Sequence, residues 1–317
     1  MLLLAALLAA EARAASSVPR VRLLLAGTLD CKPTVRDTAF EHGLRDLGYI
    51  AGKTISVERK CYSTAAEMLT LLSDTVESRA DIIVVGVPAA AIAARNATRD
   101  IPIVCISCGD PLDYGLVVSL ARPGGNVTGL ASLSAELIGK RLQLLKEVAP
   151  RARRVAALLN PDNPGTRANL TALERSAAAL DIEIQRFEFR NVADLTNAFR
   201  SASAAGAGAV VVQDDPFSFA GRTQIAELAL KHRLPVVAGV PEIAEAGALI
   251  AYGPNRVDLH RRAASFVDKI IRGAKPADLP IEQPYTFELV INLKTASALG
   301  ITVPKDLLTT ASRVIPK

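Results

Sequence analysis

From Val21 onward, the chain alternates short apolar runs with amphipathic segments. Apolar residues spaced i, i+4 and i+7, such as Phe40, Leu44 and Leu47, mark one face of a helix. Apolar runs without alternation are typical of parallel strands that are covered on both faces. These runs predict strands at Val21–Ala26, Thr54–Glu58, Ile82–Val85, Ile103–Ile106, Asn126–Leu130, Val155–Leu159, Glu183–Phe187, Ala209–Val212 and Val236–Ala238.

The order of predicted strands and helices starts again after roughly 130 residues. Repeated strand–helix units with short connections form parallel sheets with right-handed crossovers. The two halves therefore predict an α/β fold made of two doubly wound parallel-sheet lobes. The likeness between the halves lies in the order of the elements and not in the residues themselves.

The carboxyl-terminal region is too short for a third lobe. Its predicted elements are a strand at Ala248–Tyr252, a helix through Leu259 and Phe266, a strand at Phe287–Ile291 and a helix at Leu293–Leu299. These pieces predict that the chain crosses between the lobes three times, forming a hinge near Gly129, Gly253 and Pro280. Lobe 1 then comprises residues 18–129 plus 253–281, and lobe 2 comprises residues 130–252 plus 282–317.

Composition narrows the range of functions. Half of the 317 residues are hydrophobic, yet only 13 are aromatic and none is Trp, so small aliphatic side chains must supply the burial. The net charge of +5 comes from scattered basic residues. Proteins that bind nucleic acids usually cluster their Lys and Arg residues. We therefore expect an ordinary basic surface and no nucleic-acid partner.

Residues 1–15 have the features of a signal peptide. The run Met1–Ala10 is apolar but too short to span a bilayer. Ala12-Arg13-Ala14 follows with the small-x-small form of a cleavage site. We expect cleavage near Ala14, a periplasmic mature chain and no membrane insertion after processing, because no later stretch is long and apolar enough to span a bilayer.

The four cysteines allow disulfides in an exported chain. Cys31 follows the first predicted strand and Cys61 the second, and these two strands are neighbours in a doubly wound sheet. We predict a disulfide between them, with two partly buried free thiols as the alternative. We expect Cys105 and Cys108 to be free, because residues three apart on an extended strand lie about 10 Å apart.

Enzymatic signatures are weak in this sequence. The residues His42, His232 and His260 all fall in predicted helices away from the strand ends, which favours structural roles. No HExxH, P-loop or GxSxG motif occurs. The pair Asp214-Asp215 follows a strand and leaves a cleft enzyme as one alternative function. We expect no metal and no cofactor.

Several longer motifs resemble a known family. They are Glu41–Tyr49, Gly86–Ala90, Gly109–Pro111, Ser119–Gly129, Gly139–Lys146, Tyr252–Asn255 and Phe287–Lys294. With them, nearly the whole mature chain resembles the ABC transporter substrate-binding proteins that include tryptophan- and tyrosine-type binders and have a type I periplasmic-binding fold. The resemblance implies a monomeric, non-enzymatic binder that closes its lobes on a small-molecule ligand and delivers it to an ABC transporter permease.

One departure from the family bears on the ligand. Such proteins often have Gly-Thr/Ser-Pro after the third strand, where the hydroxyl and the helix amino terminus can hold a carboxylate. Here the motif is Gly86-Val87-Pro88, so the hydroxyl is missing and the backbone donors remain. The ligand class therefore stays open between amino-acid-like compounds and aromatic or carboxylate compounds.

Ligand contacts are expected beyond the carboxyl ends of the strands. The candidates are Thr28, Gly86, Val87, Pro88, Ser107 and Asp110 in lobe 1, and Asn160, Asn163, Asp215, Phe217 and Glu242 in lobe 2. The resemblance places an acidic ligand-binding residue at Asp215, which a ligand ammonium group would neutralise beside Phe217. A capping or turn role is the alternative for Asn160, Asn163 and Asp110. An effector-sensing domain of the same fold is a further alternative, but it needs a helix-turn-helix where the leader stands.

Overall fold

The computed structural model describes residues 18–27 and 31–317. The predicted signal peptide and Thr28 lie outside these ranges. Lobe 1 contains a five-stranded parallel sheet in the order β2-β1-β3-β4-β5. Its strands are β1 (Arg20–Ala26), β2 (Ser56–Tyr62), β3 (Ile82–Val85), β4 (Ile103–Cys105) and β5 (Val127–Gly129), and its helices include α1 (Val35–Asp46), α2 (Ala65–Glu77) and α3 (Pro88–Ala97).

Lobe 2 contains a seven-stranded sheet. The elements that lead into it are α4 (Ser134–Val148), β6 (Arg154–Leu159), α5 (Thr166–Ala179), β7 (Glu183–Glu188), α6 (Asp194–Ala204), β8 (Ala209–Val212), α7 (Pro216–Ala220), α8 (Arg222–Lys231), β9 (Val236–Ala238), α9 (Pro241–Ala246) and β10 (Ile250–Pro254). Then follow α10 (Arg256–Ile271), a 3-10 turn at Pro276–Asp278, β11 (Phe287–Asn292), α11 (Leu293–Leu299), α12 (Lys305–Thr310) and β12 (Arg313–Ile315). The strand order is β12-β11-β10-β9-β8-β6-β7.

The two lobes repeat one topology, which confirms the predicted two-lobed α/β fold. Strands β7-β6-β8-β9-β10 of lobe 2 stand in the same order as β2-β1-β3-β4-β5 of lobe 1. The second sheet is parallel except where β10 pairs with β11 antiparallel. This exception arises because the chain leaves lobe 2 after β10 and returns from lobe 1 into β11, so the two neighbouring strands run in opposite directions.

The central strands are covered on both faces by helices. All four residues of β3 are buried, and they alternate between two cores. Ile82 and Val84 pack with Phe40 of α1 and Phe266 of α10, whereas Ile83 and Val85 face the core beneath α2 and α3. Each such buried side chain stabilises the fold by about 1.5–3 kcal/mol. Among the described residues, no helix has both the length and the hydropathy needed to cross a membrane.

The chain crosses between the lobes at three places. The first crossing follows β5, the second joins β10 to α10, which packs on α1, and the third precedes β11. The first and third crossings run side by side, since Glu282 N donates to Gly129 O (3.0 Å) and Ala131 N donates to Glu282 O (2.9 Å). The predicted hinge residue Gly253 lies within β10, where it pairs with Glu288.

Gly129 in the first crossing has a packing reason to be glycine. Its φ of 135° lies in a region that other residues rarely adopt, and a Cβ would overlap the backbone of Cys105. Pro280 lies just before the paired segment of the third crossing. Whether these residues act as a hinge stays a prediction.

The predicted disulfide between Cys31 and Cys61 is present, with Cα atoms 5.4 Å apart. The expectation that Cys105 and Cys108 are free is wrong, because they form a second disulfide with Cα atoms 5.5 Å apart. The expectation assumed a continuous strand, but β4 ends at Cys105 and the chain turns before Cys108. The turn shortens the separation enough for the bond.

Candidate functional site

The carboxyl edges of the two sheets face each other across a cleft, and side chains from the lobes meet there. Arg36 of α1 forms an ion pair with Glu242 of α9. Its guanidinium also lies 4.8 Å from the centre of the Phe219 ring in lobe 2. Farther along the cleft, the hydroxyl of Tyr114 occupies the space that a side chain at Gly165 would need. The lobes are therefore in direct contact.

The lobe 1 edge presents a helix amino terminus. Val87 is the N-cap of α3 but makes no side-chain capping bond, and Pro88 occupies the first turn. Gly86, Val87 and Pro88 are all half-buried. The N–H groups of the first turn are therefore left without a side-chain acceptor from Val87. Ser107 lies nearby in sequence within the turn after β4 and is buried.

Asp110 connects this edge to lobe 2. Its Oδ2 accepts a hydrogen bond from Ala135 N in the first turn of α4, at 3.2 Å. Burial raises the pKa of the Asp110 carboxyl, and repulsion from Asp113 and Glu136 adds to the shift. Burial likewise raises the pKa of Tyr114 to about 12. Asp110 therefore satisfies an N–H group at the start of α4 in the other lobe, and a ligand contact by Asp110 stays a prediction.

Asp215 lies in a cradle of hydrogen-bond donors from its own lobe. It is the N-cap of α7, and its Oδ1 accepts from Phe217 N at 2.9 Å. Its Oδ2 accepts from Asn160 Nδ2 at 3.0 Å and Asn163 Nδ2 at 2.9 Å. The capping box of α7 adds a fourth donor, the backbone N–H of Ser218, so the protein supplies about as many donors as a carboxylate accepts, and Asp215 offers a ligand its negative charge.

Asn160 and Asn163 hold that cradle in place. Asn160 Oδ1 accepts from Asp162 N at 3.0 Å, and Asn163 Oδ1 accepts from Gly165 N at 2.9 Å. Both side chains thus stabilise the turn after β6 while their amide groups brace Asp215. The turn role predicted as an alternative is present. A ligand contact by either residue remains a prediction.

Phe217 and Glu242 have partners within the protein. The ring of Phe217 packs against the core of lobe 2 beside Phe219. Burial opposes the charged form of Glu242, but attraction from Arg36 and Arg256 outweighs it and lowers the pKa of the carboxyl. One oxygen of Glu242, Oε2, is buried without a hydrogen-bond partner. Glu242 therefore acts first as the lobe 2 half of the contact with Arg36.

Arg36 was not among the residues singled out from the sequence. Its side chain is only 14% exposed, and burial lowers its pKa, with repulsion from Arg256 in the same direction. A signal was available in the sequence, because a basic residue in the first turn of a helix is unfavourable for the helix dipole. Such a residue indicates a partner elsewhere, which here is Glu242.

Asp214 is committed to a buried ion pair. Arg141 of α4 donates to Asp214 Oδ2 at 2.9 Å and to Tyr252 O at 2.8 Å, and the two charged side chains are 1% and 8% exposed. Gly239 lacks the side chain that would displace this pair. Asp214 and Asp215 therefore have separate partners, and the geometry does not supply the two available carboxylates that the cleft-enzyme alternative requires.

His260 is a buried structural residue. Burial lowers its pKa to about 4, with repulsion from Arg36 as a further cause. Its Nδ1–H donates to Arg256 O at 2.7 Å, which is a bond within α10. Within residues 18–27 and 31–317, no group of three or more His, Cys, Asp or Glu side chains is arranged to hold a metal ion.

Two surface recesses lie away from the cleft. One is at the edge of lobe 2 where β6 and β7 begin, lined in part by Arg153, Asp181 and Glu183. The other lies between the outer helices of lobe 2, lined in part by Thr196 and Gln224. Neither contains a residue predicted to bind ligand.

Comparison with known proteins identifies relatives over most of the chain. The sequence profile of the family described as "ABC transporter substrate binding protein" matches residues 34–315. A tyrosine-binding protein of Clostridioides difficile is 26% identical over 263 residues, which are 83% of this chain and 75% of that protein.

Two solved structures share the fold. The ABC domain of a Streptococcus pneumoniae protein in complex with L-Trp has a TM-score of 0.87 at 23% identity, covering 94% of this chain and 100% of that one. The ligand-free, open structure of a Clostridium difficile substrate-binding protein with adhesive properties has a TM-score of 0.66 at 24% identity, with the same coverage. At these identities the likeness shows the fold alone.

Proposed function

Because the chain belongs to the family of ABC transporter substrate-binding proteins, we propose that it binds an amino-acid-like solute outside the cytoplasm and delivers it to the permease of an importer. The solute binds between the two lobes and the protein performs no reaction on it. Asp215 and the amino terminus of α3 are its main polar contacts.

The observation that carries the proposal is the pairing of opposite polarities at the two edges of the cleft. Lobe 2 offers the negative charge of a braced, 8% exposed carboxylate at Asp215. Lobe 1 offers the first turn of α3, which has no side-chain cap from Val87. An ammonium group suits the first site and a carboxylate suits the second. A compound that has both groups is amino-acid-like.

The relatives support this class of solute. One is described as a tyrosine-binding protein, and one solved structure contains L-Trp. Val87 replaces the hydroxyl residue frequent in this family, so the carboxylate relies on backbone donors. We therefore expect an aromatic or apolar amino acid, or a close analogue, whose side chain contributes much of the binding energy through burial.

Lobe closure is the proposed means of capture. The contact of Arg36 with Glu242 and Phe219 joins the lobes across the cleft. The L-Trp complex matches with a higher TM-score than the ligand-free, open structure at the same coverage. A closed arrangement of the lobes would produce this difference. Closure would form the surface that a permease recognises.

A thermal-shift screen tests the proposed solute class. The mature chain would be heated with the standard amino acids, aromatic acids, small carboxylates and, as an unrelated class, sugars. A ligand at about 100 times its Kd adds about 2.7 kcal/mol to the free energy of unfolding. We expect an aromatic or apolar amino acid to raise the Tm. Stabilisation by sugars alone would refute the assignment.

Export is the second part of the proposal. The apolar leader and Ala12-Arg13-Ala14 predict a mature chain that begins near Ala15. Amino-terminal sequencing of the protein from the periplasmic fraction should find this start, and gel filtration should find a monomer. An intact Met1 on protein confined to the cytosol would contradict export.

A further inference from the structure

The Cys105–Cys108 disulfide lies within a single turn at the end of β4. Both cysteines are 0% exposed, and the bond spans a sequence separation of only 3. The other disulfide, Cys31–Cys61, spans a separation of 30 and joins two distant segments. The stabilisation expected from a disulfide rises with the length of the loop it closes. The short bond therefore acts chiefly on local geometry.

The same turn is hydrogen-bonded to the first crossing between the lobes. Leu130 N donates to Cys105 O at 2.9 Å, and Cys108 N donates to Leu130 O at 2.8 Å. Ser132 N donates to Gly109 O at 3.0 Å, and Gly109 N donates to Ser132 Oγ at 3.1 Å. Four hydrogen bonds thus fix the crossing strand against the turn that the disulfide closes.

The residues directly after the turn reach lobe 2. Asp110 accepts a hydrogen bond from Ala135 N at the start of α4, and Tyr114 contacts Gly165. Gly109 has a φ of 57°, so the chain makes a left-handed step between the disulfide and Asp110. Residues 105–114 therefore form one joint, attached to the first crossing on one side and to lobe 2 on the other.

We propose that the Cys105–Cys108 disulfide is a redox modification site that holds this joint, so that its reduction loosens the first crossing and weakens solute binding. The binding part rests on the proposed function. The reduction requires a dithiol compound as its co-reactant. Its thiolate attacks one sulfur and breaks the Sγ–Sγ bond, two protons and two electrons pass to Cys105 and Cys108, and the dithiol becomes a disulfide.

Coupling between the joint and the cleft must act in both directions. If reduction weakens binding by a given factor, bound solute disfavours reduction by the same factor. Because both sulfurs are fully buried in the closed arrangement, solute should also slow attack by the reductant. Without the bond, Cys105 and Cys108 can separate toward the spacing of about 10 Å that an extended chain allows, and the hydrogen bonds to Leu130 weaken.

Hydrogen exchange of the mature chain tests the joint without any ligand. The variant is C105A/C108A, and the matched control is C31A/C61A, which removes the other disulfide of lobe 1. We expect the amides of Leu130, Ser132 and Ala135 to exchange about tenfold faster in the variant relative to the core of lobe 2. The control should leave this ratio unchanged. An unchanged ratio in C105A/C108A overturns the proposal.

Binding of L-tyrosine and L-tryptophan gives the second readout. We expect C105A/C108A to bind whichever probe the parent binds about five- to fifty-fold more weakly. Equal affinity would overturn the link to the cleft. If the parent binds no amino acid, the proposed function fails while hydrogen exchange still decides the role of the joint. If the variant does not fold, C31A/C61A reduced with dithiothreitol until two free thiols are counted undergoes the same exchange measurement against its oxidised form, and unchanged exchange there also overturns the proposal.

Discussion

At the scale of single residues, Asp214 and Asp215 show how surroundings assign different roles to identical side chains. Asp214 neutralises Arg141 in the interior, whereas Asp215 is held by amide donors. The sequence showed only a carboxylate pair after a strand. It could not reveal which of the two would be consumed by an arginine from a helix more than seventy residues earlier.

The first prediction concerns the charge of Asp215. Asp215→Asn should weaken binding of an amine-bearing solute about thirtyfold or more, because losing a desolvated charged partner costs about 2–5 kcal/mol. The free energy of unfolding without ligand should also fall by about 1–3 kcal/mol, since the new amide cannot accept from every donor of Asn160, Asn163 and Phe217. Calorimetric titration and urea unfolding measure the two effects.

The control for this prediction is Asp162→Asn. Asp162 lies in the turn that braces Asp215, but its side chain is 71% exposed. The substitution removes the same charge and should leave affinity within twofold, about 0.4 kcal/mol. Tight binding of an amine-bearing solute by Asp215→Asn would show that another group receives the ammonium.

The second prediction concerns pH. The pKa of His260 is about 4 in the folded protein against an ordinary value of 6.5. The unfolded chain therefore binds the proton more readily, and stability is full above pH 6.5 and is lost as the pH falls toward 4. The loss should total about 3 kcal/mol, at about 1.4 kcal/mol per pH unit. Urea unfolding between pH 7.5 and 4 measures it.

Other groups also titrate in this range, so the comparison of two variants isolates His260. His260→Gln should flatten the pH dependence by most of that amount. His42 is exposed on α1, and His42→Gln should leave the dependence as it is in the parent. If His260→Gln and His42→Gln give the same pH dependence of the free energy of unfolding, the buried imidazole of His260 is not the cause of the loss at low pH.

At the scale of elements, the strands that the apolar pattern predicted best are those buried on both faces. The bounds of β3, β8 and β9 agree with the prediction, because all their residues lie in the core. The edge strand β12 was not predicted, since its pattern of exposure gives no continuous apolar run. Edge strands depend on a neighbour for their conformation, and the pattern along one segment does not identify that neighbour.

Turns were the less predictable elements. The disulfide between Cys31 and Cys61 follows from the order of neighbouring strands, which the βα repeat indicated. The bond between Cys105 and Cys108 depends on where β4 ends, and the apolar run continued one residue beyond that end. The predicted cleft residues that the structure describes follow the carboxyl ends of strands, and their contact with a ligand stays a prediction, whereas Arg36 reaches the cleft from a helix.

The third prediction concerns the buried ion pair between Arg141 of α4 and Asp214, which follows β8. Arg141→Ala should lower the free energy of unfolding by about 3 kcal/mol, because it leaves the buried charge of Asp214 with only Arg256, at 3.7 Å, beside it. Arg153→Ala is the control, since its pair with Asp181 is 77% and 83% exposed. The control should change stability by less than about 0.5 kcal/mol. Equal losses in the free energy of unfolding for the two variants, measured with denaturant, would show that the buried pair stabilises the protein no more than the exposed pair does.

At the scale of the whole molecule, the lobes are joined covalently by three crossings and non-covalently by contacts across the cleft. Residues that follow the carboxyl ends of β1 and β9 meet at the cleft. Charged side chains close it at Arg36 and Glu242. The two-lobed fold was predictable because it follows from the order of elements, whereas the contacts between lobes depend on long-range packing.

The fourth prediction concerns the contact of Arg36 with lobe 2. Arg36→Gln should weaken solute binding about tenfold, mostly through faster dissociation, because the closed arrangement loses an interaction that the open one lacks. Arg59→Gln is the matched control. Arg59 forms a similar half-buried pair with Glu41, but both residues belong to lobe 1. Stopped-flow dissociation rates that change equally in both variants would contradict a specific role in closure.

Binding of an amino-acid-like solute between the lobes should close them. Small-angle X-ray scattering of the mature protein, titrated with L-tyrosine, L-tryptophan and the other amino acids, tests binding and closure together. We expect at least one of these compounds to lower the radius of gyration in a saturable way, ending at about one equivalent. A radius that stays constant across all of them, at concentrations well above those found in the periplasm, would contradict it.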